Sequence, residues 1–172
     1  MQKKIISFRN DILPLKNVLY RLALRITLQH EDAEDIVQDT LMKVWNKRDD
    51  WDQIDNIEAY ALTITRHLAL DKLKRADSRI TSIDATEVSE SAQVNNPYNR
   101  IIDSDRLQLV KKLMDELPEK QRSCMQLRDF EGKTYREIAA IMTISEEQVK
   151  VNIFRARQSV KQKFQEAEEY GL

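Results

Sequence analysis

The sequence predicts an all-α protein: two small helical domains joined by a flexible acidic linker, the second domain containing a helix-turn-helix. Three observations predict it. The 172 residues include Gly 2 and Pro 3, far below ordinary usage, and so few turn residues argue against a many-stranded β-fold. Leu, Ala, Glu, Lys, Arg and Gln are abundant, and these are good helix formers. Apolar side chains recur at helical spacing before and after one central stretch that lacks the pattern.

Composition excludes several classes. With 41% hydrophobic residues the chain can build a real core, so it is not a disordered tail. A single cysteine, Cys124, excludes an internal disulfide and a cysteine-based zinc site. The longest strictly apolar run, Ile138 to Met142, is too short for a membrane span. Arg9, Asn10 and Asp11 interrupt the stretch after the basic start before a signal-peptide core forms. A cytoplasmic protein is the expectation. Residues 1–75 and 104–172 each carry 13 basic and 12 acidic side chains, whereas 76–103 carry 2 basic and 5 acidic ones. The run from Thr81 to Ser91 and then Asn95-Asn96-Pro97 reads as a polar, acidic linker. Its roughly 28 residues span at most about 90 Å.

The N-terminal elements follow in order. Leu15, Val18, Leu19, Leu22 and Ile26 give a helix over residues 12–28. A second helix runs from about Asp32 to Asn46, with Ala33, Ile36, Val37, Thr40, Leu41 and Val44 as its buried stripe. Its far side carries Glu31, Glu34, Asp35, Gln38, Asp39, Met42 and Trp45. Two large apolar groups among carboxylates, away from the core, form an apolar centre rimmed by charge, the pattern of a protein-binding surface. Cover by residues 47–55 over Trp45 is the plainer alternative. A third helix starts near Asp55, a candidate cap with Glu58 three positions on, and continues to about Lys74. Ile57, Ala61, Ile64 and Leu68 line one side and Leu62, Ala69, Leu70 and Leu73 another. Tyr60, Thr63, His67, Asp71 and Lys74 lie between them on a strip about 80° wide. That strip, followed by Arg75 and Arg79, suits a nucleic-acid surface, although a hydrogen-bonded structural role for His67 is the plainer reading.

In the C-terminal half a helix spans Ser104 to Glu116, and Leu117-Pro118 is a stop and restart. Pro118 opens the next helix and Gly132 closes it. Thr134 to Glu137 is a capping box for a short helix ending at Met142. Thr143-Ile144-Ser145 is a tight turn, and Ser145 to Gln148 is a second capping box opening a helix to about Ala167. This spacing is that of a helix-turn-helix. On the last helix Val149, Ile153, Ala156, Val160 and Phe164 fall within about 80° of one another as the buried stripe. The opposite face presents Glu147, Lys150, Val151, Phe154, Arg155, Gln158 and Lys161. Lys150 and Arg155 can bond guanine edges or phosphates, and Val151 and Phe154 can touch thymine methyls or sugars. An ordinary helical hairpin with a charged exterior is the alternative.

Two long motifs carry a family resemblance. The run Asp32-Ala33-Glu34-Asp35-Ile36-Val37-Gln38-Asp39-Thr40-Leu41-Met42-Lys43-Val44-Trp45 resembles the polymerase-binding helix of bacterial sigma factors. Leu117 to Arg122, then Leu127 to Gly132 and Tyr135 to Ala139, resemble the second conserved domain of the same sigma-70 family. The short two-domain layout is similar to the extracytoplasmic function (ECF) group. The resemblance implies a region 2-like domain over 1–76, a linker over 77–103 and a region 4-like domain over 104–172. It implies that Asp35, Gln38, Asp39, Met42 and Trp45 dock on the β′ clamp coiled coil of core RNA polymerase, with the β flap as a second contact. Residues 47–55 and the start of the third helix would capture a flipped −10 base, at a cost of a few kcal/mol that a pocket and stacking can offset. Tyr60, Thr63, His67, Lys74 and Arg75 would hold −10 DNA, and Lys150, Val151, Phe154 and Arg155 would read the −35 element. The linker would thread toward the polymerase cleft. The same resemblance implies a non-enzymatic transcription factor with no cofactor or metal, controlled by a separate anti-sigma factor.

The sequence departs from the family pattern at His67, where Asn is usual, at Gln148 for Thr, at Asn152 for Arg and at Thr143 for Gly. Two other classes stand beside it. A stand-alone helix-turn-helix regulator would bind operators tightly without polymerase. A carboxylate-metal enzyme is the other, because Glu31-x-x-Glu34-Asp35 resembles the Mg²⁺ cluster of all-α nucleotide pyrophosphatases. There the third helix offers only Glu58 and Asp71, nearly four turns apart, to complete the oxygen shell.

Overall fold

A computed structural model describes residues 5–82 and 105–170, and every described element is helical. They belong to two compact units, one holding the helices before the linker and the other nearly all of those after it. Residues 83–103, most of the acidic linker, and Ser104 lie outside the described residues.

In the first unit a π-helical turn, Phe8–Ile12, and a 3-10 turn, Leu13–Leu15, precede α1 (Lys16–Thr27). The sequence pattern predicts one helix from residue 12. Pro14, which lacks an N–H, sits in the 3-10 turn, and α-geometry begins only at Lys16. Leu28 closes α1 in the left-handed conformation, its N–H donating to Leu24 O at 2.8 Å. Helix α2 (His30–Asn46) follows, two residues earlier than the spacing predicts. A 3-10 segment, Arg48–Gln53, occupies what the sequence reads as a loop. Helix α3 runs over Ile57–Ser82, past the predicted end at Lys74 and into residues assigned to the linker. Its cap is Asn56, not Asp55: Ala59 N–H donates to Asn56 Oδ1 at 3.0 Å.

The core of this unit is the meeting of three stripes. Leu19, Leu22 and Ile26 of α1 and Ala33, Ile36 and Val44 of α2 are fully buried. On α3 the buried seam is Ala61, Leu62, Thr65 and Ala69, whereas Ile57, Ile64 and Leu68 are only half-buried. The seam therefore runs between the two predicted apolar stripes. Thr65 can lie there because its hydroxyl is 3.1 Å from that of Thr40 on α2, both groups fully buried.

In the second unit α4 (Asp105–Asp115) is followed by α5 (Glu119–Met125), with Pro118 as the residue before it. A π turn, Gln126–Phe130, extends α5, and Gly132 turns the chain at φ +66. Helix α6 (Tyr135–Met142) and helix α7 (Glu146–Glu169) both carry the predicted capping boxes. Leu113, Met114, Leu117, Met125, Ala156 and Val160 form the core of this unit.

Candidate functional site

Helix α2 buries one face so completely that its other face is fixed by elimination. Asp35, Gln38 and Asp39 are exposed, and with them stand Met42 at 63% and Trp45 at 44% of their surface. Trp45 is also partly covered. Trp51 and Phe8 meet its ring edge-on, and the Arg48 guanidinium lies 4.7 Å from its centroid. Trp51 itself is buried, its Nε1–H donating to Val44 O at 2.9 Å. The aromatic ring of segment 47–55 is thus spent on packing. Asp49, Asp50, Asp52 and Asp55 are exposed there, as are Lys47 and Arg48.

The acidic cluster on α2 has polar partners within its own unit. Lys72 of α3 lies 3.6 Å from Asp32 and 3.4 Å from Asp35. His30 Nε2 lies 3.1 Å from Glu34, and His30 Nδ1 is hydrogen-bonded to the Tyr20 hydroxyl. Burial, and then the Glu34 carboxylate, raise the pKa of the Tyr20 phenol. Among the described residues no group of three or more His, Cys, Asp or Glu is placed to hold a metal ion. Asp32 and Asp35 face an ammonium, which does not suit the carboxylate-metal reading.

The polar strip of α3 lies opposite its buried seam. His67, Asp71, Lys74 and Arg75 are exposed, and Tyr60 and Thr63 are half-buried. The Thr63 hydroxyl donates to Ala59 O at 2.8 Å, which leaves its lone pairs for a ligand.

On α7 the division of faces is sharper. Val149, Ile153, Ala156 and Val160 are buried, and Phe164 is half-buried. Lys150 and Arg155 are exposed, with Val151 at 45% and Phe154 at 63%. Ser145, Glu147, Gln148, Val151, Asn152 and Arg155 line one surface depression at the start of the helix. The Tyr135 ring of α6 lies between two cations, Arg128 at 4.5 Å and Lys150 at 5.6 Å. Arg157 donates from Nε to Asp129 Oδ2 at 3.0 Å, and that bond raises its pKa. On the other side of α7, Val110, Met125, Val160 and Phe164 floor an apolar groove with Arg157 and Lys161 at its edge.

Two family models match these same stretches. Residues 12–79 match the model described as Sigma-70 region 2, and residues 107–160 the one described as Sigma-70, region 4. Together the matches cover more than two thirds of the chain and place α2 and α7 in the two conserved regions in order. The chain belongs to the sigma-70 family. It is similar to the ECF RNA polymerase sigma-E factor of Escherichia coli strain K12, 28% identical over 142 residues, 78% of this chain and 74% of that one. It is also 30% identical over 144 residues to the ECF RNA polymerase sigma factor SigE of Mycolicibacterium smegmatis, covering 83% of this chain and 56% of that protein. Among solved structures, the sigma factor RpoE of Bartonella quintana, in complex with the anti-sigma factor NepR, matches with a TM-score of 0.78 and 28% identity. That match covers 90% of this chain and 94% of that chain. CnrH, in complex with the cytosolic domain of CnrY, matches at a TM-score of 0.62 and 20% identity over 87% and 82% of the two chains, and shows the fold. The chain is an RNA polymerase sigma factor of the ECF type.

Three contacts of this sigma factor are not legible in its sequence. Phe8 with Trp45, Lys72 with Asp35, and Tyr135 with Lys150 each join residues far apart in the chain, and no spacing rule links them. The His30–Glu34 pair is different, since its i,i+4 spacing on a helix is a local signal. Among the described residues no helix is long and apolar enough to cross a membrane.

Proposed function

We propose that the first domain, residues 1–76, joins core RNA polymerase to the −10 element, and that the second, residues 104–172, reads the −35 element. Residues 77–103 connect them through the polymerase cleft. The observation that carries this reading is the pair Met42 and Trp45, exposed on α2 beside Asp35, Gln38 and Asp39. An exposed apolar centre rimmed by carboxylates is the pattern of a protein-binding surface, and a clamp coiled coil with basic and apolar residues matches both. Tyr60, Thr63, His67, Lys74 and Arg75 hold the −10 strand. The −35 contacts come from Lys150, Val151, Phe154 and Arg155. The apolar groove floored by Val110, Met125, Val160 and Phe164 suits the β flap. The solved relative in complex with the anti-sigma factor NepR supports control by an anti-sigma factor. The work site is the cytoplasm, where polymerase and chromosome meet.

Two substitutions test this. Asp35→Lys with Gln38→Ala should abolish association with core enzyme while leaving helical content unchanged, and undiminished pull-down of core would contradict the assignment. His67→Ala should alter base preference at one −10 position and slow promoter opening with −35 binding intact. Permanganate footprints that show the same bases melting at the same rate would remove α3 from the −10 site.

A further inference from the structure

We propose that Phe8 is a positioning residue for the polymerase-docking face, acting through Trp45. This rests on the reading of α2 given above. An exposed Trp on a helix ordinarily samples several rotamers, and a partner that uses it must order it on binding. Here Trp45 has support from both sides. Trp51 meets it edge-on at 6.1 Å and 68°, and Phe8 does so at 5.3 Å and 77°. The Trp51 side is rigid, because that indole is buried and hydrogen-bonded to Val44 O.

The Phe8 side is equally built. Phe8 opens the π turn Phe8–Ile12, and three bonds close that turn. Ser7 N–H donates to Asp11 Oδ2 at 2.8 Å, Asn10 N–H to Ser7 Oγ at 3.3 Å, and Asp11 N–H to Ser7 O at 2.8 Å. Ile12, fully buried, pins the end of the turn to the core. These bonds are an N-cap that fixes where the turn begins and so where the Phe8 ring stands. Its product is one aromatic edge set against the exposed Trp of the docking helix. Two χ angles held before contact lower the ordering cost, and an aromatic pair of this geometry amounts to about a two- to tenfold effect on an equilibrium.

The test is a double-mutant cycle on the full chain, reading its Kd for core RNA polymerase. Phe8→Ala should weaken core binding about two- to tenfold, and Phe8→Tyr, which keeps the ring, should restore it. In a Trp45→Ala background Phe8→Ala should have no further effect. A general loss of fold would weaken binding in both backgrounds, so additive effects overturn the proposal. Ser7→Ala with Asp11→Ala removes the two side-chain bonds of that turn without touching either ring and should reproduce Phe8→Ala; wild-type affinity there also overturns it. Asp35→Lys runs alongside. If Asp35→Lys weakens binding and Phe8→Ala does not, the role of Phe8 fails alone; if neither weakens it, the docking face itself is misassigned.

Discussion

Lys150 and Arg155 project from the same face of α7 with different surroundings. Lys150 leans on the Tyr135 ring, 5.6 Å from its centroid, on the side of α6. We infer that Lys150, so held, meets a phosphate rather than a base edge. Arg155 is exposed in the depression it shares with Val151 and Asn152, where a planar fork can reach a guanine edge. The two substitutions should therefore differ. Arg155→Ala should cost about 1–3 kcal/mol and relax preference at one −35 position. Lys150→Ala should weaken all sequences alike and lower the salt slope by about one. Holoenzyme affinities on a −35 substitution series at two salt concentrations separate these outcomes, and a flat result for both would remove α7 as the reading element.

At the scale of elements, the turn between α6 and α7 carries a local strain. Thr143 sits at φ +57, a conformation that a β-branched residue enters at a cost of roughly 1–2 kcal/mol. Glycine avoids that cost but loses about 0.5–1 kcal/mol of chain entropy. Thr143→Gly should then stabilise the protein by about 0.5–1 kcal/mol and raise its melting midpoint by about 2–8 °C, followed by circular dichroism. An unchanged or lower midpoint would show that the turn is not strained at this residue. Elements of this kind were largely legible in the sequence, for identifiable reasons. The capping boxes at Thr134 and Ser145 and the buried stripes of α2 and α7 are local patterns, and they stand where the spacing puts them, except that Leu41 and Phe164 are only half-buried. The start of α3 was misplaced by one residue, at Asp55 instead of Asn56, because Asp and Asn cap about equally well and spacing does not separate neighbours. Its buried seam was misread because Thr65 counts as polar until Thr40 is known to face it. The α2 surface was legible as exposed, but not as held by Phe8, Trp51 and Lys72, since those contacts depend on tertiary packing.

At the scale of the whole molecule, charge balance shapes function. A net charge of −1, with the two helical halves each nearly neutral, gives the free chain no large positive field. Affinity for DNA comes mostly from phosphate neutralisation, so the free protein should bind promoter fragments weakly, and polymerase must contribute the remaining grip. A stand-alone regulator would show the reverse. The central claim is therefore tested most directly by in vitro transcription with bacterial core RNA polymerase on a promoter library, with and without this protein. Specific transcripts are expected only when protein and core are combined, from templates sharing a −10 and a −35 element, with weak binding by the protein alone. Tight, sequence-specific binding by the free protein, together with no new transcripts from core, would contradict it.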